Sequence, residues 1–247
     1  MSGTTQMAEI KTVVLVHGAS DGSCYAKVIP LLTAKGLKAI AVQNPLSSLA
    51  DDVKAVKRTL SQQEGPVLLV GHSWGGAVIT EAGNDPQVAG LVYVAAGAPN
   101  SGESFNDWWK GYAPMPGVAE IKPYGNDGYV AFTQLGVRQV VQDLPEEEAD
   151  LIYAVQGPIA ARCFDDKIST AAWHTKPSWY IVASEDCAIP PAVESDSAKR
   201  MKATTLTLAS SHVPVLSQPD KVADFILEAV TTLNAKSHAD EAQAAAR

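Results

Sequence analysis

A serine lies where this chain should turn sharply from a buried strand into a helix. The apolar residues 66–70 are followed at once by residues 71–76, which read GHSWGG. Glycines near Ser73 suit such a turn, because the backbone strains toward positive φ and the helix must pack close to the strand. The hydroxyl is then presented beside a helix N-terminus, where free N–H groups favour negative charge. The segment predicts a nucleophile elbow, although a turn of small residues with a chance serine would read the same.

Strand-like and helix-like stretches alternate along much of the chain. Six short apolar runs rich in β-branched residues are bounded by glycine, proline or polar turns, which is typical of buried parallel strands. They lie at residues 12–17, 37–42, 67–71, 88–95, 179–183 and 204–208. Segments with helical spacing of apolar residues lie at 25–35, 49–62 and 74–84. This order predicts an α/β fold with a mostly parallel sheet flanked by helices.

The alternation stops over residues 99–175, where glycine, proline, aromatic and acidic residues mix. No strand is evident in this segment. Helices are predicted at 128–143 and 145–156, the second because Pro145 and the glutamates after it suit the first turn of a helix. We interpret 99–175 as a helical cap inserted before the strand at 179–183.

The length and composition favour one globular unit. The chain has 247 residues, of which 46% are hydrophobic and 19% charged, so it can bury a large core. With the cap set apart, residues 1–98 and 176–233 form the predicted core. Residues 234–247 are alanine-rich and have no sustained apolar face, so we expect a flexible helical tail there.

Charge and cysteine content narrow the partners that the chain can have. A net charge of −8 disfavours binding to nucleic acid or an anionic membrane. No apolar run approaches the ~20 residues of a membrane-spanning helix, and the N-terminus does not read as a secretion signal. Cys24, Cys163 and Cys187 are too scattered for a disulfide framework or a metal cluster. We expect a cytoplasmic protein that acts on a small molecule.

Two features far along the chain complete a pattern with Ser73. Glu185 and Asp186 follow the predicted strand at 179–183, and the carboxyl ends of parallel strands face the crevice where ligands bind. We choose Asp186 because it stands before the Ile-Pro turn that begins the next helix. His212 lies shortly beyond the last predicted strand. Each residue alone reads as an ordinary loop residue, but serine, acid and histidine in this order match a known catalytic triad.

The remaining histidines do not suggest a competing site. His17 ends the first predicted strand, His72 lies inside the elbow, and His174 and His238 have no carboxylate nearby in a motif. No spacing of the H-E-x-x-H type occurs, and residues 71–76 do not have the lysine of a phosphate-binding loop. We therefore expect a reaction that uses no metal and no cofactor.

Three segments carry a resemblance to a known family. Residues 13–19 read VVLVHGA, residues 71–76 read GHSWGG, and residues 211–219 read SHVPVLSQP. Together they resemble the α/β-hydrolase family, and most closely its small-esterase branch, which also holds plant methyl esterases and hydroxynitrile lyases. The resemblance covers 12–98 and 176–233.

The resemblance implies roles for further residues. It implies an oxyanion hole made by the backbone N–H groups of Ala19 and Trp74, and it implies that the cap covers the pocket. Some members carry the acid after the sixth strand of the full family sheet, but residues 95–98 here read AAGA. That position offers no carboxylate, which favours Asp186.

The cap is rich in aromatic residues, so we expect an apolar or aromatic pocket, although any one of these side chains could instead hold the cap together. The candidate substrate-binding residues are Ser20, Trp108, Trp109 and Tyr112. The expected activity is hydrolysis of a small apolar or aromatic carboxylic ester through an acyl-enzyme. The expected assembly is a monomer or a homodimer.

Three alternatives remain open at this point. A hydroxynitrile lyase would use the same triad, but lyases of this branch resemble one another in a threonine after the first-strand histidine and a lysine after the catalytic one. This chain has Gly18 and Val213 there. Other triad chemistry, such as amide or C–C cleavage, and a non-catalytic receptor for a small ligand are the other two.

Overall fold

A parallel sheet organises residues 9–245, the part of the chain described by this computed structural model. The strands are β1 (Thr12–Val16), β2 (Lys38–Val42), β3 (Val67–Ser73), β4 (Val88–Ala96), β5 (Ile121–Tyr124), β6 (Tyr129–Phe132), β7 (Ile159–Ala160), β8 (Ser178–Ala183) and β9 (Thr204–Leu208). The main sheet has six strands in the order β2-β1-β3-β4-β8-β9, and each neighbouring pair is parallel. The six predicted strands are confirmed, with small shifts at their ends.

Helices cover both faces of this sheet. The helices of the described residues are α1 (Val28–Ala34), α2 (Leu49–Leu60), α3 (Gly75–Ala82), α4 (Phe105–Trp108), α5 (Gln134–Val140), α6 (Glu146–Val155), α7 (Pro191–Arg200), α8 (Pro214–Ser217) and α9 (Pro219–Ala245). Of these, α4, α5 and α6 lie in the cap segment between β4 and β8. The helix predicted at 25–35 is shorter than expected, because a 3-10 turn at Gly22–Tyr25 precedes α1.

Alternate residues of each central strand face two separate cores. In β1, Val14 and Val16 pack with α2 and α3, whereas Val13 and Leu15 pack with α1 and α9 on the other face. All five residues of β1 are buried, so the strand is apolar throughout rather than alternating. Burial on both faces explains why these strands can be recognised as short continuous apolar runs.

The segment between β4 and β8 is not purely helical, which corrects the prediction that it contains no strand. Strands β5, β6 and β7 form a separate antiparallel sheet. The helix predicted at 128–143 is therefore wrong over 128–133, because Gly128 has φ +86° and turns the chain into β6, and it ends earlier than predicted, at Val140. Helix α5 begins only after Thr133, whose hydroxyl accepts the N–H of Gly136 at 3.1 Å. The second predicted helix of this segment is confirmed as α6.

Helix α9 continues to Ala245, through most of the segment expected to be a flexible tail. Its Asn234 side chain accepts the backbone N–H of Ile10 at 2.8 Å, which joins the helix to the start of the described chain. Residues 1–8 and 246–247 lie outside the described residues. They include part of the predicted tail and most of the N-terminal segment that does not read as a secretion signal. Within 9–245, no helix has both the length and the apolar character needed to cross a membrane.

Candidate active site

The elbow has the strained geometry that its sequence predicts. Strand β3 ends at Ser73, which has φ +55°, and Trp74 is the N-cap of α3. A non-glycine residue in this region of φ is uncommon and costs about 1–3 kcal/mol. The turn also needs Gly75, because a Cβ there would lie 2.2 Å from the carbonyl oxygen of Val16 in β1. The serine hydroxyl is held at the carboxyl end of the sheet by close packing around it.

The structure brings together the three residues singled out as a triad. His212 Nε2 lies 2.8 Å from Ser73 Oγ, and His212 Nδ1 lies 2.5 Å from Asp186 Oδ2. Asp186 is fully buried at the end of β8, and its other oxygen accepts the backbone N–H groups of Ala188 and Ile189 at 2.6 and 2.9 Å. These bonds fix the carboxylate at its position against the imidazole.

The neighbouring acid does not share this environment. The side chain of Glu185 is exposed, and its backbone carbonyl accepts the side-chain amide of Gln142 from the cap at 2.6 Å. Of the two acids after β8, only Asp186 contacts His212. An ionised Asp186 at Nδ1 keeps a proton on that nitrogen, so Nε2 is left as the acceptor for the Ser73 hydroxyl.

Two other histidines support the site without facing the serine. His72 donates its Nε2–H to the backbone carbonyl of His212 at 2.7 Å, and burial lowers the pKa of His72 to about 3, so it is neutral. His17 donates from Nδ1 to the carbonyl of Gly18 at 2.8 Å and accepts the backbone N–H of Asn44 at 2.9 Å. Burial also lowers the pKa of His17. Both rings shape the loops that carry candidate catalytic groups.

Two backbone N–H groups lie beside Ser73 with their hydrogens free. Within residues 9–245, neither Ala19 nor Trp74 donates its backbone N–H to a protein acceptor. The loop of Ala19 passes so close to the elbow that a Cβ on Gly18 would lie 2.6 Å from Ser73 Cβ. The indole of Trp74 is directed elsewhere, because its Nε1–H donates to the buried Asp52 at 2.8 Å. This arrangement can accept an oxyanion.

Ser73 lies at the junction of two apolar cavities. The first, the aromatic chamber, has a volume of about 380 Å³ and is lined by Trp74, Phe105, Trp109, Ile159, Phe164 and Ile189. The second, the aliphatic chamber, has a volume of about 360 Å³ and is lined by Val137, Val140, Val141, Ile152, Val213 and Leu216. Both chambers are also lined by Ala19, Ser73, Phe132, Gln156 and His212. The hydroxyl of Ser73 is therefore accessible from either side.

The four candidate substrate-binding residues separate into two groups. Trp109 lines the aromatic chamber and Ser20 lines the aliphatic chamber. Trp108 and Tyr112 line neither, which corrects the expectation for these two residues. The buried Trp108 donates its indole N–H to Ser197 at 2.8 Å.

Tyr112 donates its hydroxyl to Asp196 at 2.9 Å. Trp108 and Tyr112 therefore join the cap to α7 of the core.

Sequence reasoning did not identify Phe132 and Gln156, which line both chambers. The amide of Gln156 accepts the N–H of Phe132 at 3.1 Å and donates to its carbonyl at 3.0 Å. An aromatic residue and a glutamine 24 positions apart form no motif, so the sequence gives no signal for this pairing.

The cap is bonded directly to the loop that carries the candidate base. The backbone N–H of His212 donates to the carbonyl of Val140 at the end of α5, at 3.1 Å. The backbone N–H of Ser211 donates to the carboxylate of Asp143 at 2.9 Å. Cap and catalytic loop therefore hold one another in place.

Comparison with known proteins identifies the class that this fold and geometry define. A profile of the alpha/beta hydrolase family matches residues 13–225. The chain belongs to the alpha/beta hydrolase family, and it is an enzyme of the hydrolase class. The resemblance drawn from the three sequence segments is thereby confirmed.

Individual relatives resemble this chain over most of its length. A pyrethroid hydrolase of Sphingobium wenxiniae is 27% identical over 254 residues, which cover 89% of this chain and 87% of the relative. The crystal structure of polyneuridine aldehyde esterase has a TM-score of 0.77 at 20% identity, with 89% of this chain and 99% of that chain covered. The crystal structure of a methylesterase from Arabidopsis has a TM-score of 0.73 at 24% identity, with 90% of this chain and 100% of that chain covered. The two structures show the common fold.

Proposed function

We propose that this protein is a serine hydrolase of carboxylic esters that uses Ser73 as nucleophile, His212 as general base and Asp186 as the acid that orients it. One observation carries the proposal. The imidazole of His212 lies between the Ser73 hydroxyl and the Asp186 carboxylate, at 2.8 and 2.5 Å, with the serine open to two cavities. Esterases and ester-cleaving hydrolases among the relatives support the same reaction class.

The first half of the reaction follows from these contacts. A serine hydroxyl is a weak nucleophile, so His212 Nε2 takes its proton while Oγ attacks the ester carbonyl. The imidazolium is stabilised by Asp186, which also keeps the ring in the orientation that faces the serine. When the tetrahedral intermediate collapses, the same proton passes to the leaving alcohol. Water then attacks the acyl-enzyme by the same route and releases the acid.

The backbone N–H groups of Ala19 and Trp74 donate hydrogen bonds to the carbonyl oxygen on which negative charge develops. They supply two donors that are already oriented and require no rearrangement during the reaction. Loss of one such donor costs about 2.7–4 kcal/mol of barrier in enzymes of this kind. Helix α3 begins directly after Trp74, and its N-terminal dipole favours the same negative charge.

The substrate that fits is a neutral ester with an apolar group on each side of the bond. The two chambers have volumes of about 380 and 360 Å³, within the range of small-molecule sites, and both linings are mostly apolar. In the aliphatic chamber, Lys27 and Glu148 pair with one another at 2.7 Å. Among the described residues, this pairing leaves the aliphatic chamber without an unpaired charge. The aromatic chamber is lined by one carboxylate, Asp165, which accepts the side-chain amide of Asn106 at 2.9 Å and disfavours an anionic substrate. The relative that hydrolyses pyrethroids is consistent with an apolar ester.

The geometry does not favour cyanohydrin cleavage. Position 18 has no space for the threonine side chain of the lyases in this branch, since even a Cβ would contact Ser73 at 2.6 Å. Position 213 carries a valine, which provides no ammonium to balance a departing cyanide. Membership of the hydrolase family disfavours the non-catalytic receptor, and measured turnover tests that alternative directly.

The test combines labelling with turnover. We expect a serine-directed fluorophosphonate to modify the peptide that contains Ser73, and aryl esters of graded acyl length to be hydrolysed with an initial burst of alcohol if deacylation is slow. Ser73→Ala and His212→Ala should each lower kcat by about 10⁴-fold or more, with a double variant little worse, because triad members act as a unit. Circular dichroism checks that each variant folds. Additive losses, an unmodified Ser73, or mandelonitrile cleaved faster than every ester would contradict the proposal.

A further inference from the structure

Helix α7 buries a carboxyl group directly behind the candidate triad. Glu194 is 0% exposed, although α7 is otherwise rich in polar residues. Its Oε2 accepts the backbone N–H of Ala183, the last residue of β8, at 3.0 Å. Its Oε1 is buried and receives no N–H or O–H within residues 9–245. A buried carboxylate with a free oxygen is costly, so the ionised form of Glu194 fits this place poorly.

The neighbours of Glu194 decide which form it takes. Asp186 of the β8 loop is bonded to the same residue as Glu194, because its backbone N–H donates to the carbonyl of Ala183 at 3.3 Å. Asp186 and Tyr180 of β8 are the ionisable groups that act on Glu194 among the described residues, and His212 is bonded to Asp186. Tyr180 cannot supply a hydrogen, because its hydroxyl donates to the backbone carbonyl of Ala96. The carboxylate of Asp186 accepts hydrogen bonds and has none to give. A hydrogen between the two carboxyl groups therefore has to come from Glu194 itself.

We propose that Glu194 is a positioning residue of the triad, whose neutral carboxyl group donates a hydrogen bond to Asp186. The inference rests on the proposed function, since Asp186 matters here as the acid that orients His212. Burial first, and then the charge of Asp186 and a hydrogen bond to it, raise the pKa of Glu194 well above its ordinary value. Geometry and ionisation agree on a proton held at this position.

The neutral form has two effects on Asp186. It adds a donor to those of Ala188, Ile189 and His212, so that the carboxylate is held by one more hydrogen bond. It also leaves one negative charge in the pair, which matches the single positive charge that forms on His212 during the reaction. Two ionised carboxylates side by side would repel one another. The second negative charge would also stabilise the imidazolium of His212, so that it would return its proton less readily.

Two substitutions separate positioning from simple packing. Glu194→Gln keeps the shape, the acceptor for Ala183 and an N–H donor for Asp186, so kcat should stay within about 2-fold of wild type. Glu194→Ala removes the donor, and kcat should fall by roughly 10- to 100-fold, the range seen for groups that orient catalytic ligands, with KM little changed. Val193→Ala is the matched control. It truncates another buried residue of α7 and should lower the melting temperature without changing kcat.

The pH profile gives a second readout that packing would not move. If Glu194 is neutral in the working enzyme, its ionisation at alkaline pH should lower kcat in the wild type, and this loss should be absent in Glu194→Gln. The profiles of wild type and Val193→Ala should coincide. An alkaline limb that persists unchanged in Glu194→Gln would contradict the proposal. So would a Glu194→Gln variant as inactive as Glu194→Ala.

Infrared difference spectroscopy tests the proton without any activity. The spectrum of wild type minus Glu194→Gln at neutral pH should contain the carbonyl stretch of a protonated carboxylic acid. If the band is absent, Glu194 is ionised and the inference is wrong, even if Glu194→Ala does not fold. If the band is present but the enzyme hydrolyses no ester and Ser73 resists the fluorophosphonate, the proposed function fails while the protonated pair stands.

Discussion

The core and the cap of this molecule differ in what holds their functional residues. In the core, Ser73 lies at the end of β3, and Asp186 and His212 lie in the loops after β8 and β9. Each side chain is fixed by hydrogen bonds to buried neighbours. In the cap, the chamber walls are mainly apolar side chains held by packing, such as Phe105, whose ring lies 5.6 Å from that of Trp109. The candidate catalytic groups thus lie in the core, whereas much of the chamber lining comes from the cap.

This difference predicts different consequences of substitution. A side chain fixed by directional hydrogen bonds has few alternatives, so its replacement should act on kcat. An apolar wall can repack around a new side chain, so its replacement should act on KM and on the choice of ester.

The largest effect should come from the acid in the core. Asp186→Asn keeps the shape but presents an amide to His212, and it favours the wrong tautomer of the ring. We expect kcat to fall by about 10⁴-fold, as in other triads. The matched control is Glu185→Gln, one residue away and exposed, which should keep its activity. Hydrolysis of one aryl ester by both variants decides between the two acids, and the reverse result would move the assignment to Glu185.

A pH titration of stability tests the polar anchor beneath the elbow. Asp52 of α2 accepts the indole N–H of Trp74 at 2.8 Å, and burial raises the pKa of Asp52 from 3.8 to about 6. Since the folded-state pKa is the higher one, the stability linked to neutral Asp52 is full below pH 4 and is lost as the pH rises through 6. The shift corresponds to on the order of 3 kcal/mol.

Denaturant unfolding between pH 4 and 8 measures this loss. The wild type should lose stability over that window, and Asp52→Asn should lack this part of the slope. The adjacent Asp51→Asn serves as control, because the Ser48 hydroxyl lowers the pKa of this exposed carboxyl instead. A slope that disappears in Asp51→Asn and persists in Asp52→Asn would contradict the assignment.

The smallest effect should come from the wall of the aromatic chamber. Trp109→Ala removes an aromatic contact worth about 1 kcal/mol, so KM for an ester with a bulky aromatic group should rise up to about 10-fold while kcat changes little. Tyr112→Phe is the control, because Tyr112 lies outside both chambers and the substitution removes only its hydroxyl, which donates to Asp196. Equal changes in KM for both variants, or a selective loss of kcat, would erase the contrast between cap and core.

The core could be predicted from sequence because its signals are local. Strands buried on both faces appear as short apolar runs, and the GHSWGG turn after β3 requires a particular backbone whatever surrounds it. The sequence predicts the serine, the acid and the histidine because each lies at the end of such a strand or in the loop after it. Their mutual distances depend on the order of strands in the sheet, which single segments do not reveal.

The cap could not be predicted to the same depth. Strand β5 contains Pro123 and is mostly exposed, and β6 is only partly buried, so neither shows a strand pattern. The adjacent residues Trp108 and Trp109 look equivalent in sequence, yet one bonds to α7 and the other lines a chamber. The burial of Glu194 also has no signal in the sequence. Its burial results from packing between α7 and β8, not from any local motif.

The bonds between the cap and the histidine loop have a consequence for how substrate enters. The His212 and Ser211 amides donate to Val140 and Asp143 of the cap, so a cap that lifted as a rigid lid would release the loop that carries the base. An open lid and a poised imidazole therefore exclude one another. Ester must reach Ser73 through gaps between cap segments, or else each turnover must include reassembly of the base. Hydrogen–deuterium exchange would distinguish the two routes. The two amides stay protected if ester enters through gaps in the cap, and they exchange if the whole cap lifts.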